Sequence, residues 1–209
     1  MSLPKLYAIV DVDVCARVGW VPRELARAYL AGGARLLQLR AKDLGGAAFL
    51  ELATAMVGDT RRVDGQVIIN DRADIAARSG AAGVHVGQDD LSVQDVRRIV
   101  GAEAIVGLST HTYAQLEEAV GQPISYVAIG PVFGTSTKAT GYDAVGLEMV
   151  GAASNLASPH GIPVVAIGGI TLDRVTSVWA AGAASAAVIT DLLVDDPEAR
   201  VRQFVEHDR

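Results

Sequence analysis

The chain has 209 residues, half of them apolar, with 18 basic against 24 acidic side chains and a formal net charge of −6. That balance supports a sizeable core, excludes a disordered chain and argues against a nucleic-acid binder, which presents a basic face. A lone cysteine, Cys15, excludes an internal disulfide and a Cys-cluster metal site.

The opening Met1-Ser2-Leu3-Pro4-Lys5 leads straight into a strand-like run with no signal-peptide pattern. No apolar stretch reaches the roughly 18 residues that a membrane span needs. The expectation is one cytoplasmic globular domain spanning 1–209, without membrane or nucleic-acid partners. A homodimer is compatible with the sequence, which does not set the oligomeric state.

Short apolar runs alternate with helix-like stretches along the whole chain. The first run is Leu6–Asp11, followed by a helix from about Pro22 to Ala31 with Pro22 in its first turn. Gly32-Gly33 breaks the chain before the second run, Leu36–Arg40, and a longer helix over about Gly46–Val63. The third run, Val67–Asp71, precedes a short helix ending near Ser79. The fourth, Gly83–Gly87, leads to a helix from about Ser92, a natural N-cap, to Val100. The fifth, Ala104–Ser109, is followed by a helix over about Thr112–Val120. The sixth, Tyr126–Gly130, opens into a long polar loop and a helix starting near Gly146. The seventh, Ile162–Gly168, precedes a helix from Thr171 to Ala181, and the eighth, Ala186–Thr190, a helix from about Pro197 to His207.

These are eight strand–helix units, about 25 residues apart, whose strands are continuously apolar as in a parallel sheet buried on both faces. The pattern predicts an α/β fold of the (β/α)8 TIM-barrel type, with an open doubly wound sheet as the runner-up.

A barrel places its chemistry on the loops that follow the strands, and polar residues or glycines gather there. Strand two ends in Gln38, Arg40 and Lys42; strand three in Asn70 and Asp71; strand four in Gln88, Asp89 and Asp90; strand five in Ser109 and His111. Strand six is followed by Thr135, Ser136, Thr137 and Lys138, strand seven by Gly168-Gly169, and strand eight ends in Thr190. Arg40 and Lys42 lie two apart and project to one side, so with Lys138 they suit a phosphate or diphosphate. Pairing with acids of neighbouring strands is the alternative.

Asp71 and Asp90 end adjacent strands and suit Mg2+, which takes one or two carboxylates together with water and substrate phosphates. The alternative makes Asp90 a helix N-cap and Asp71 a partner of Arg40. Gly168-Gly169 before a helix start suits a phosphate or is simply a turn. The Thr135–Asp143 loop suits a cover that excludes water. His85 reads as a satisfied interior histidine or a pocket wall. His111 is equally suited to a direct and a supporting role. Trp20 and Trp179 read as packing residues, and Cys15 has no recognisable base.

An ordered set of segments resembles the thiamine phosphate synthase family. They are Gln38–Lys42, Ile69–Arg72, Gly83–Asp90, Gly107–Thr112, Gly130–Phe133 with Thr135–Lys138, and Ala166–Thr171. The resemblance implies a (β/α)8 barrel transferase. It would condense 4-amino-5-hydroxymethyl-2-methylpyrimidine diphosphate with a thiazole phosphate, giving thiamine monophosphate and diphosphate in the presence of Mg2+.

Residue by residue, the resemblance implies that Asp71 and Asp90 bind Mg2+ and that Arg40, Lys42, Asn70 and Lys138 hold the diphosphate. Arg40, Lys42 and Lys138 are thereby the implied catalytic residues. Gln38 and Ser109 would contact the pyrimidine. Thr135, Thr137, Gly169, Ile189 and Thr190 would face the thiazole phosphate. Asp191, next to Thr190, would bring negative charge to that phosphate unless it points away. The rival readings are a thiazole tautomerase-like relative, another phosphate-binding isomerase or aldolase barrel, and a non-catalytic phosphate-ligand-binding barrel.

Overall fold

The structure is a computed structural model that describes residues 2–134 and 142–207. In chain order the elements are β1 (Leu6–Asp11), α1 (Val12–Val18), α2 (Pro22–Ala31), β2 (Leu36–Arg40), α3 (Gly46–Arg61), β3 (Gln66–Asn70) and α4 (Ala73–Ser79). Then come β4 (Gly83–Val86), α5 (Val93–Val100), β5 (Ile105–Thr110), α6 (Tyr113–Ala119), β6 (Tyr126–Ile129) and α7 (Gly146–Ala157). The chain continues through β7 (Val164–Ile167), α8 (Leu172–Ala180), β8 (Ser185–Val188) and α9 (Pro197–Glu206).

The strands pair in sequence order, all parallel, and β8 returns to β1 to close the barrel, with Leu6, Tyr7 and Ala8 beside Ala186, Ala187 and Val188. The closed barrel, rather than the open sheet, is therefore the fold. Among the described residues no helix is long and apolar enough to cross a membrane.

Alternation along each strand builds two apolar layers. On β1, Leu6, Ala8 and Val10 face the helices, while Tyr7 and Ile9 face the barrel axis. The same split sends Leu37 and Leu39 outward and Leu36 inward on β2, and Val127 and Ile129 outward and Tyr126 and Ala128 inward on β6. Both layers are buried, which is why the strands read as unbroken apolar runs.

The inner register also explains Gly107 on β5. A β-carbon there would lie 2.1 Å from the ring of Tyr126, so only glycine leaves space for that ring inside the barrel.

The expected cap at Ser92 is present, its hydroxyl accepting from the Asp95 N–H, and Thr112, expected inside its helix, instead caps it, its hydroxyl accepting from the Gln115 N–H. One helix was not anticipated. α1 follows β1 directly, started by the Asp11 carboxylate, which accepts from the Asp13 and Val14 N–H groups, and ended by Gly19 in the left-handed region. Cys15 is buried within it. Trp179 packs as expected, its indole N–H donating to the Lys5 carbonyl (3.3 Å).

Candidate functional site

At the C-terminal end of the strands lies a cavity of about 570 Å³, within the range of small-molecule sites. Gln38, Arg40, Lys42, Asn70, Asp71, Asp90, Ser109, Gly169, Ile189 and Thr190 all line it. Ten of the residues expected at the site thus converge on one space. Thr135, Thr137 and Lys138 lie outside the described residues.

The rim carries paired charges. Arg40 donates to Asp11 at 2.6 Å, with the Asp11 side chain 1% exposed. Asp11 therefore serves two elements at once: one oxygen caps α1 and the other fixes the Arg40 guanidinium. Lys42 faces Asp71 at 3.7 Å. The alternative pairing of Asp71 with Arg40 is corrected by this geometry, because Arg40 has a closer, more deeply buried acid on its own side of β2. The idea that Arg40 and Lys42 pair with neighbouring acids is nonetheless correct, and it does not remove either from the cavity.

Asp71 adopts a left-handed backbone (φ +63°), an uncommon conformation that aspartate tolerates better than most residues. Its N–H donates to the His85 carbonyl (2.8 Å), which ties the turn after β3 to β4. Burial and the facing carboxylate of Asp90 push the Asp71 carboxyl above the usual carboxylate range, while Lys42 and Arg40 pull it part of the way back. Asp90 accepts from the Gly87 N–H (2.7 Å) and closes the turn after β4. It is not the cap of α5, which is Ser92.

A buried carboxylate whose charge is disfavoured by a facing one fits a hard divalent cation, which would relieve the repulsion. Among the described residues no group of three or more His, Cys, Asp or Glu could hold a metal. Any ion here would take its remaining oxygens from water or ligand, as Mg2+ does.

The floor is joined by hydrogen bonds. Gln38 Nε2 donates to the Tyr7 hydroxyl (3.0 Å), which lies 3.1 Å from the Tyr126 hydroxyl. His85 meets Tyr126 through Nδ1 (2.9 Å) and Ser109 through Nε2 (2.7 Å). His85 is therefore both a satisfied interior histidine and a wall of the cavity. Gln88 Nε2 donates to the Ser109 carbonyl (2.6 Å), which joins the β4 and β5 ends.

On the opposite wall, the Nδ1–H of His111 donates to the Gly130 carbonyl (2.5 Å), and its ring stacks on Tyr142 at 4.1 Å between centroids. Gly168 and Gly169 have φ of +103° and +62°, and a β-carbon on either would collide with the Pro131–Gly134 segment. The glycine pair is thus a packed turn, and it also lines the cavity.

Asp191 is turned away from the cavity. It accepts from the Leu172 N–H (3.0 Å) at the start of α8 and pairs with Arg200 at 3.3 Å. The amide of Leu172 is accordingly not open to a phosphate.

Sequence reasoning missed Asp11, Tyr7 and Tyr126. Asp11 stood at the end of the first run, and the alternation Tyr7-Ile9-Asp11 would have pointed it inward. The tyrosines had no comparable signal, since inward aromatics read as core.

A family model described as thiamine monophosphate synthase matches residues 6–192. The chain belongs to that family. A thiamine-phosphate synthase of Koribacter versatilis is 43% identical over 99% of this chain and 96% of its own. One of Anaeromyxobacter dehalogenans is 43% identical over 93% of this chain and 83% of its own. Among solved structures, thiamine phosphate pyrophosphorylase from Pyrococcus furiosus superposes with a TM-score of 0.87 at 29% identity, covering 98% of this chain and 96% of that one.

Proposed function

We propose that this chain is a thiamine-phosphate synthase, a single barrel domain at work in the cytoplasm. It joins 4-amino-5-hydroxymethyl-2-methylpyrimidine diphosphate to a thiazole phosphate, releasing thiamine monophosphate and diphosphate. The observation that carries this reading is the convergence, in one cavity, of Arg40 and Lys42 with the facing carboxylates Asp71 and Asp90 above the Gln38 and Ser109 side chains.

In this reading the bond between the pyrimidine methylene carbon and the diphosphate oxygen breaks first, and its electron pair leaves with the diphosphate. The electron-rich aminopyrimidine delocalises the resulting cation. The thiazole nitrogen then donates its lone pair to form the new carbon–nitrogen bond. No protein nucleophile is needed. Arg40 and Lys42, with Asn70 and Lys138, take up the charge that develops on the departing diphosphate. Asp71 and Asp90 would hold Mg2+, which supplies further charge neutralisation to the diphosphate. Gln38 and Ser109 orient the pyrimidine; Thr135, Thr137, Gly169, Ile189 and Thr190 hold the thiazole phosphate. Holding the two reactants together replaces a bimolecular encounter.

The test is a two-substrate assay with and without Mg2+. Thiamine phosphate should form with the metal and not in excess chelator. Full turnover in chelator would remove the metal role of Asp71 and Asp90. Binding of the pyrimidine diphosphate without product would point instead to a non-catalytic binding barrel.

A further inference from the structure

The floor of the cavity is one continuous hydrogen-bonded chain through five strands: Gln38 (β2), Tyr7 (β1), Tyr126 (β6), His85 (β4) and Ser109 (β5), with links of 3.0, 3.1, 2.9 and 2.7 Å. Burial pushes both phenols well above their ordinary range, so each keeps its proton and has one to give. With a neutral His85 imidazole, which has one donor and one acceptor nitrogen, such a chain can run in only one direction at a time.

With the Gln38 amide as it stands, Gln38 donates to Tyr7, Tyr7 to Tyr126, and Tyr126 to Nδ1 of His85. The Nε2–H of His85 then donates to the Ser109 hydroxyl. That leaves Gln38 Oε1 as an acceptor at one end and the Ser109 O–H as a donor at the other. Reversal exchanges the two ends and requires the amide, both phenols and the imidazole tautomer to change together.

The forward direction is chemically preferred. It lets a phenol, a stronger donor than an aliphatic hydroxyl, meet the imidazole nitrogen, a stronger acceptor than a phenol oxygen.

We propose that Tyr7, Tyr126 and His85 are positioning residues that couple Gln38 to Ser109, so that the cavity reads the adjacent amine donor and ring-nitrogen acceptor of an aminopyrimidine as one unit and selects against its oxo counterpart. This rests on the pyrimidine reading of the preceding section. An aminopyrimidine offers its amine to Gln38 Oε1 and its ring nitrogen to the Ser109 O–H. A 4-oxo ring bears an acceptor and an N–H donor in the opposite places and meets the forward chain mismatched at both ends. Gly107 belongs to the same device, because it makes room for the Tyr126 ring.

The experiment measures dissociation constants, by calorimetry with Mg2+ present, for three probes. They are inorganic diphosphate, the 4-amino-pyrimidine diphosphate and its 4-oxo counterpart. Tyr126→Phe and Tyr7→Phe each remove one oxygen and break two links of the chain, the one between the two phenols in both cases, so either reports should the other fail to fold. In both variants the amino-over-oxo preference should fall by about tenfold, the scale of one mismatched buried hydrogen bond. Binding of inorganic diphosphate should stay within about twofold, since the rim is untouched.

An unchanged amino-over-oxo ratio in a variant that folds and binds diphosphate would overturn the coupling and leave the functional reading standing. A wild-type protein that binds the amino-pyrimidine diphosphate no better than inorganic diphosphate would overturn the functional reading itself.

Discussion

The rim and the floor of the cavity are built on opposite principles. At the rim, full charges are held by other full charges: Arg40 by Asp11, Lys42 by Asp71. At the floor, hydroxyl, imidazole and amide groups are joined through hydrogen bonds inside the barrel. Charge near water is adjustable, because Lys42 is about half exposed and can exchange one partner for another. A buried hydrogen-bonded chain is not adjustable, since an unmet donor there loses its full hydrogen-bonding energy. On the proposed reading the labour is divided: the rim meets the polyanion, and the floor fixes which ring is accepted.

The sharpest test removes a charge that the proposed mechanism assigns to the leaving group. Asp90→Asn or Lys138→Ala should lower turnover at least about tenfold, the effect of losing about 1.4 kcal/mol of transition-state stabilisation. Steady-state kinetics check this, and unchanged values in both variants would detach the rim from the chemistry.

Asp11→Asn should have the next largest effect. It keeps a cap for α1 but weakens the hold on Arg40, and kcat/KM should fall by about fivefold, the scale of about 1 kcal/mol from one charge-assisted hydrogen bond. Inorganic diphosphate should bind correspondingly more weakly.

Asp71→Asn separates stability from function. Because its carboxyl titrates above the unfolded value, the folded protein holds an extra proton between the two. The associated stability is present at low pH and lost as pH rises through the folded value. Removing the charge should raise the metal-free Tm near neutral pH by roughly 2–4 °C, about 1 kcal/mol for a chain of this size. Turnover should fall, and the stabilisation that added Mg2+ gives the wild type by mass action should disappear. Asparagine keeps the left-handed backbone accessible. Scanning fluorimetry with and without Mg2+ checks all of this; a lower metal-free Tm would contradict the proposed repulsion.

The smallest effect belongs to a site remote from the cavity. Asp59 bridges α3 to Arg23 and Arg27 of α2, and these guanidinium groups hold its carboxyl down at about 2. A depressed value contributes stability above the unfolded carboxylate value that is lost as pH falls from about 4 to about 2. Asp59→Asn should flatten the acid side of a Tm-against-pH curve and leave kcat/KM unchanged.

The fold was legible because a barrel imposes a strong pattern. Eight apolar runs alternating with helical stretches leave little freedom, and Ser92 marked its helix start by capping chemistry alone. The cation and carboxylate positions were legible because strand-end placement is a topological rule. Three things were not. α1 is short and starts from a strand residue, so Asp11 looked like the tail of β1. Its pairing with Arg40 depends on the β1–β2 register, which places the two residues side by side. Tyr7 and Tyr126 reveal their role only through hydroxyl contacts across the barrel, between residues 119 positions apart.

Gly107 and Tyr126 share a single volume, since the aromatic ring occupies the space where any side chain at 107 would have to begin. The two positions are therefore not independent variables for anyone seeking to retune this protein toward a different heterocycle. A substitution at 107 expels the ring and silences the proton-ordered circuit beneath the ligand. A smaller residue at 126 leaves a void beside a glycine with nothing to fill it. New specificity at this depth has to be reached by changing both positions together.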